Sequence, residues 1–451
     1  MKTFLKIIAG LVVLGVLALL AFLFVPVQRS APTETLAADW TPEPGRGEYV
    51  MRAGDCAACH TAEGGKPLAG GRAIESPMGT IWATNITPDK DTGIGTWSLD
   101  DFRAALVDGL TPDGEHLYPA MPYENYRFMS EQDIRALYDY LMTEVPAVRS
   151  DVEETRLDFP FNLRFGIRAW NWVALRGGIG FEPTAGDDLQ ARGQYLVEGP
   201  GHCAACHSPR NSFMAQAGTH AGEAGFLTGG VVGDWAAPAL HGPESALKDW
   251  SVTELAAYLA TGRNAHSAAN GEMGLVIKDS TQYLSDQDNI AMAAFLKGLD
   301  GKVSDVPQSL SVALPQVLPP AKADDAGAET AKMLTEANPE MPLGARLYLD
   351  NCSACHFVTG KGAPGIFPEL AGNTLVTSDQ KTPLISVILH GASVPSTRER
   401  PEALVMQGYG ERLDDSEVAA LASFLRQAWG NAAPAVSEAD VAAVRSAAPA
   451  H

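Results

Sequence analysis

Cys56-Ala57-Ala58-Cys59-His60 recurs as Cys203-Ala204-Ala205-Cys206-His207 and again as Cys352-Ser353-Ala354-Cys355-His356. These three copies take up all six cysteines of the 451-residue chain, so none remains for a disulfide framework. Two cysteines three apart on a helical turn present both sulfurs to one side. There they can add to the two vinyl groups of one haem, and the adjacent histidine then faces the iron. A thioredoxin-like redox pair needs alternating strands and helices around it, and this sequence has little strand alternation. Structural zinc wants four ligands, which three widely separated half-sites supply poorly. The pattern therefore implies three covalently bound haem c groups. Cys56, Cys59, Cys203, Cys206, Cys352 and Cys355 are the attachment points, and His60, His207 and His356 are the proximal ligands. Thioether bonds would also withdraw these sulfurs from disulfide chemistry in an oxidising compartment.

Outward from each motif the sequence repeats. A glycine and an aromatic precede the cysteines: Gly47-Glu48-Tyr49, Gly193-Gln194-Tyr195 and Gly344-Ala345-Arg346-Leu347-Tyr348. Trp97-Ser98 and Trp250-Ser251 each open a helix-like stretch through an N-cap serine. Each copy closes on an amphipathic run entered through acids: Ile134, Leu137, Tyr138, Leu141; Ile290, Ala294, Phe295, Leu296; Val418, Leu421, Phe424, Leu425. That spacing is the stripe of a buried helix face. The expected domains are 45–150, 185–303 and 342–430, each a helix, motif, loop, helix, loop and final helix. Residues 304–341, rich in Pro, Ala and acids, read as a flexible tether, and 431–451 as a loose tail. Residues 29–44 read as a linker. The aromatic-rich segment 151–184 has two readings, packing between the first two modules or docking on a partner or the membrane interface.

The distal iron ligand decides the chemistry, because methionine raises the potential and closes the iron, whereas an open position suits catalysis. Met406 is the sole methionine after His356. Met121 sits between prolines in Pro119-Ala120-Met121-Pro122, and Met273 in the apparent loop Gly271-Glu272-Met273-Gly274. Met129, Met142 and Met292 fall in or beside final helices, where packing is expected. His116, His266 and His390 are the competing distal ligands. His202, His220, His241 and His451 read as surface or loop residues.

Lys2 and Lys6 precede an uncharged apolar run from Ile7 to Val25, which as a helix would span roughly 28 Å, near the thickness of bilayer hydrocarbon. Residues 1–28 are expected to be a membrane anchor, with an exported signal peptide as the alternative. The basic flank puts Met1 in the cytoplasm and the bulk of the chain on the periplasmic side of an inner membrane. The balance of 54 acidic to 33 basic residues, net −21, leaves no basic footprint for nucleic acid. It would suit a basic docking face on a protein partner.

Several longer strings sharpen the reading: Arg52-Ala53-Gly54-Asp55-Cys56, Thr84-Asn85-Ile86-Thr87-Pro88, Leu117-Tyr118-Pro119-Ala120-Met121-Pro122-Tyr123, Phe159-Pro160-Phe161-Asn162, Tyr195-Leu196-Val197-Glu198-Gly199-Pro200-Gly201-His202-Cys203 and Pro209-Arg210-Asn211. Over roughly residues 45 to 430 the chain resembles the triheme cytochrome c subunits of bacterial membrane-bound alcohol, aldehyde and gluconate dehydrogenases. The resemblance implies a mainly α fold of three tandem class-I-like cytochrome c domains; the one transmembrane helix expected ahead of them rests on the apolar run Ile7 to Val25, because membrane attachment varies among such subunits. It places Met121, Met273 and Met406 as axial ligands. It also implies a dehydrogenase catalytic subunit as electron donor, and ubiquinone or a downstream cytochrome or oxidase as acceptor. One departure is Met406-Gln407-Gly408-Tyr409-Gly410, where such subunits often have Met-Pro, so that loop is expected to be less rigid. The rival expectations are a stand-alone or oxidase-linked carrier, and a haem peroxidase or reductase with an open iron.

Overall fold

Helices start where the sequence supplies a cap. Ser98 and Ser251 each accept a hydrogen bond from the backbone N–H three residues on, and Asp101 and Glu254 return it, starting helices Leu99–Asp108 and Val252–Thr261. Ser130, Ser285 and Asp414 likewise accept from the N–H three residues on and cap the closing helices Glu131–Thr143, Asp286–Gly298 and Asp415–Gln427, with an acid in each first turn; of these three only Asp414 has the return bond of a capping box. The computed structural model describes residues 2–175, 178–184, 188–233, 235–301, 303–304, 306–310 and 326–447.

Each closing helix crosses a leading helix: Arg46–Ala53, Asp188–Glu198 or Leu343–Asn351. A glycine lies at every crossing. A Cβ on Gly47, Gly193 or Gly344 would collide with the carbonyl of Ala136, Ala291 or Ala420, so two backbones meet where only glycine fits. Around these crossings gather three apolar cores, centred on Ile134 and Leu137, on Ile290 and Phe295, and on Val418 and Leu421. We refer to them as the first, second and third bodies. Strand structure among the described residues is limited to antiparallel ribbons, Ala73–Ile74 with Ile81–Trp82, Gly230–Val232 with Trp235–Ala237, and Gly391–Val394 with Leu404–Gln407.

The first and second bodies clasp each other reciprocally. Tyr49 of the first donates to Asp288 Oδ2 at 2.5 Å, and Tyr195 of the second donates to Asp133 Oδ2 at 2.5 Å. Each aspartate also holds an arginine of its own body, Arg192 on Asp288 at 2.7 Å and Arg46 on Asp133 at 2.8 Å. The third body meets the second through loops. Arg398 donates to the Gln282 carbonyl at 2.7 Å, Gly365 N–H to the Asn264 carbonyl at 2.8 Å, and His266 lies between Glu254 at 3.3 Å and Glu369 at 3.7 Å.

Three segments are more ordered than their composition suggests. The stretch after the N-terminal helix is tied to the first body, with Arg29 on Asp100 at 2.6 Å and Asp101 at 2.7 Å, and Arg103 on both Glu131 and the Ala31 carbonyl. Within the expected tether, Ala328–Glu336 is a helix whose Leu334 is buried in the third core, while 311–325 lie outside the described residues. The expected loose tail contains helix Glu438–Ser446, opened by a Ser437–Asp440 capping box and held by buried Val441 and by Arg445 on Asp415 at 2.7 Å. Residues 448–451, His451 included, lie outside the described residues.

Candidate functional site: the Cys-x-x-Cys-His motifs

All three motifs form short helical turns directly after the leading helices: Cys56–His60, Ala204–His207 and Ser353–His356. Asp55 and His202 enter the first two with positive φ, 50° and 38°, which turns the chain sharply into the motif. The three motif histidines share one arrangement. His60 Nδ1 lies 2.6 Å from the Thr84 carbonyl, His207 Nδ1 2.8 Å from that of Pro238, and His356 Nδ1 3.0 Å from that of Pro368. A carbonyl only accepts, so Nδ1 carries the proton and the Nε2 lone pair is left for a metal. Burial lowers the pKa of all three, which keeps the imidazoles neutral and ready to ligate.

The space beside the second and third motif histidines has the size and lining that a haem needs. One cavity of about 1550 Å³ runs through the second and third bodies. It is lined by Cys203, Cys206, His207 and Met273 of the second and by Cys352, Cys355, His356 and Met406 of the third. Apolar residues such as Leu259, Leu296, Ile388 and Leu425 make up much of its wall. Two thiols and one neutral imidazole beside an apolar slot are the donor set that would hold a covalently attached haem c, and a methionine lies in the same wall. In the first body, Met121 packs against the same core as Cys56 and Ala57.

Local structure around the methionines differs from expectation at two of them. Met121 occupies a bend just ahead of the short helix Tyr123–Tyr126. Met273 lies in the first turn of helix Gly271–Asp279, not in a loop: Gly271 takes φ 53° and starts the helix instead of ending a turn. Met406 lies in strand Leu404–Gln407, opposite Ala392, so backbone pairing replaces the missing proline as the source of stiffness. The competing histidines are held by other partners or exposed, although His266 also lines the cavity. His116 Nδ1 is 3.2 Å from Asn171 Nδ2, His266 bridges two glutamates, and His390 is exposed at a helix end. Met129 and Met292 are core residues.

His202 lies in a loop, one of the two readings expected for it, but not on the surface. It packs edge-on against Tyr126 at 5.5 Å and contacts the Gly54 carbonyl, at the joint between the first two motifs, and burial pushes its pKa down to about 4. Arg72 of the first body lies 3.9 Å from Glu272, beside Met273. Only the tertiary arrangement reveals these contacts. The tyrosine clasp had a fainter signal, a tyrosine two residues after the crossing glycine in the first two copies and not in the third.

Helix crossings, motif histidines and apolar cavity together define a c-type cytochrome. The Cytochrome c family model matches residues 45–144 and 342–429. The chain belongs to the family of dehydrogenase cytochrome c subunits. It is 40% identical over 405 residues, 89% of this chain and 83% of the relative, to the cytochrome c subunit of the quinone alcohol dehydrogenase of Gluconacetobacter polyoxogenes. It is 40% identical over 407 residues, 89% of each, to the gluconate 2-dehydrogenase cytochrome c subunit of Pantoea cypripedii. Over 437 residues, 93% of this chain and 86% of the relative, it is 38% identical to the fructose dehydrogenase cytochrome subunit of Gluconobacter japonicus.

Proposed function

We propose that this chain is a triheme electron-transfer subunit: three cytochrome c domains, 45–150, 185–303 and 342–430, behind an N-terminal membrane anchor. Cys56 and Cys59, Cys203 and Cys206, and Cys352 and Cys355 attach one haem c each. The axial pairs are His60 with Met121, His207 with Met273, and His356 with Met406. The observation that carries the reading is the shared histidine arrangement, Nδ1 on a backbone carbonyl and Nε2 free, in all three motifs.

Haem c supplies reversible one-electron chemistry at its iron. The carbonyls of Thr84, Pro238 and Pro368 hold each imidazole in one tautomer and orientation. Met273 and Met406 line the same cavity as His207 and His356 and, as distal ligands, would keep water and small ligands off the iron. The apolar walls keep water away, which restrains the rearrangement that accompanies each change of charge. The partner is a catalytic dehydrogenase subunit, as the names of the relatives suggest, and the acceptor is ubiquinone or a downstream carrier. Helix Lys2–Phe24, with Thr3–Leu23 long and apolar enough to cross a membrane, holds the chain on the periplasmic face of the inner membrane.

Haem quantification should give three haems per chain, and carbon monoxide should not bind the native reduced protein rapidly. Met406→Ala should open one haem of three to carbon monoxide and lower one potential of three. Rapid stoichiometric binding by the unaltered chain would defeat the reading, and so would purification from native membranes without any dehydrogenase subunit.

A further inference from the structure

The segment between the first two bodies has two faces. Helix Phe165–Ala174 buries Ile167, Asn171 and Ala174 against the first body, where Asn171 Oδ1 accepts from Tyr123 at 2.9 Å. Its outer stripe carries Phe165, Arg168 and Trp172, one helical turn or two apart. Trp172 is 70% exposed, and the preceding loop adds Phe159 at 78% and Phe161 at 51%. Trp170, on another side of the helix, donates from Nε1 to the Phe213 carbonyl at 2.7 Å and ties the helix to the second body. So large an apolar face on an otherwise acidic chain marks a contact surface.

The end of the N-terminal helix identifies the contact. Phe22 meets Trp172 edge-on, centroids 5.3 Å apart. Arg168 donates to the Val25 carbonyl at 2.8 Å, and its guanidinium lies 5.3 Å from the Phe22 ring. Phe22 belongs to the last turn of the apolar run. Lipid that surrounds this run therefore reaches Trp172. Aromatic rings with an arginine beside them, here Arg168, are the composition of a membrane–water interface, where the ring sits at headgroup depth; Arg164, next to this face, is held by Glu115 at 3.3 Å.

We propose that Phe159, Phe161, Phe165 and Trp172 form a second membrane contact, lying in the headgroup region of the bilayer that holds the N-terminal helix. This rests on the anchor reading above and adds an orientation to it. A single spanning helix lets the body swivel, whereas a helix and a face beside it fix which side of the first body lies against the lipid.

The test uses the full haem-loaded chain in vesicles of phosphatidylcholine and phosphatidylglycerol that contain a diazirine-bearing phospholipid. After photolysis, lipid adducts are mapped by peptide mass. Adducts are expected on residues 159–172 as well as on 2–25. The combined variant Phe159→Ser, Phe161→Ser, Trp172→Ser should lower the first set several-fold and leave the second unchanged, with the haem spectrum intact. Adducts on 2–25 alone would overturn the second contact and leave the anchor standing; adducts on neither would overturn both. If the native dehydrogenase complex shows this face cross-linked to its catalytic subunit and free of lipid, or if two copies of the chain cross-link through it, the face belongs to protein and the proposal fails.

Discussion

The first two bodies and the third begin from the same helix crossing and diverge two residues later. After Gly47 and Gly193 come Tyr49 and Tyr195, which reach into the neighbouring body. After Gly344 comes Arg346, which is exposed, and Leu343 beside it is 40% exposed, where Arg46 and Arg192 hold aspartates in the other two. The closing helices differ to match. Asp133 and Asp288, at the third helical position, point outward to accept the neighbour's tyrosine. The corresponding Glu417 of the third body turns back onto the Asp414 N–H at 3.0 Å and closes its own capping box. One local choice at a helix start therefore separates a body that needs a neighbour from one that completes itself. The expected consequence is a chain that unfolds as a pair and a single body.

The most severe way to test this contrast is Gly193→Val. The obstacle is the Ala291 backbone, so the cost should reach about 3 kcal/mol, the upper part of the range for overpacking. Limited proteolysis should find the first and second bodies opened together and the third resistant, while Gly344→Val should open the third alone. Next come Tyr49→Phe and Tyr195→Phe. Each removes a hydrogen bond to a carboxylate and should cost about 1.5–3 kcal/mol in denaturant melts of the pair. The third body's melt should not move.

A pH change should act on the other junction. The Glu369 hydrogen bond, then Glu254, raise the His266 pKa above its ordinary value, and Trp250 stacks on the ring at 6.0 Å. Its folded pKa is raised, so its contribution is complete below about pH 6.5, the unfolded value, and fades as pH rises through the folded value. Protection factors at residues 264–267 and 365–369, corrected for the base-catalysed intrinsic rate, should therefore fall as pH rises above about 6.5, and His266→Gln should remove that fall. The clasp should stay unchanged over the same range, because burial and then Asp288 hold the Tyr49 pKa up at about 12. The smallest effect belongs to Arg346→Ala, which should move stability by no more than about 0.5 kcal/mol. A larger loss would show that Arg346 has a partner and that the third body is not self-contained.

The features legible in the sequence are those written locally. The motifs, the capping serines and the amphipathic closing helices each occupy a few adjacent residues, and the structure has them where the pattern puts them. Met273 and Met406 were legible as candidates but not in their local structure. Flanking glycines suggest a turn at Met273, yet Val276 and Ile277 continue a helix, and the strand at Met406 is too short to show alternation. The tail shows a misweighed signal: Ser437 and Asp440 spell a capping box inside an alanine-rich stretch that reads as loose. The clasp and the His202 joint were hidden for a different reason. Their partners lie far apart in sequence, and no periodicity couples them.

The reciprocal clasp also bears on inheritance. Because each half lies on a different body, a change at Tyr49 is tolerated only as far as Asp288 allows, and likewise for Tyr195 and Asp133. The two bodies are bound to drift together and to be copied, lost or recombined as a unit. The third has no such clasp; it meets the second through loop contacts and a shared cavity wall, so exchanging it for another terminal domain asks for those contacts to be rebuilt but leaves the reciprocal clasp intact.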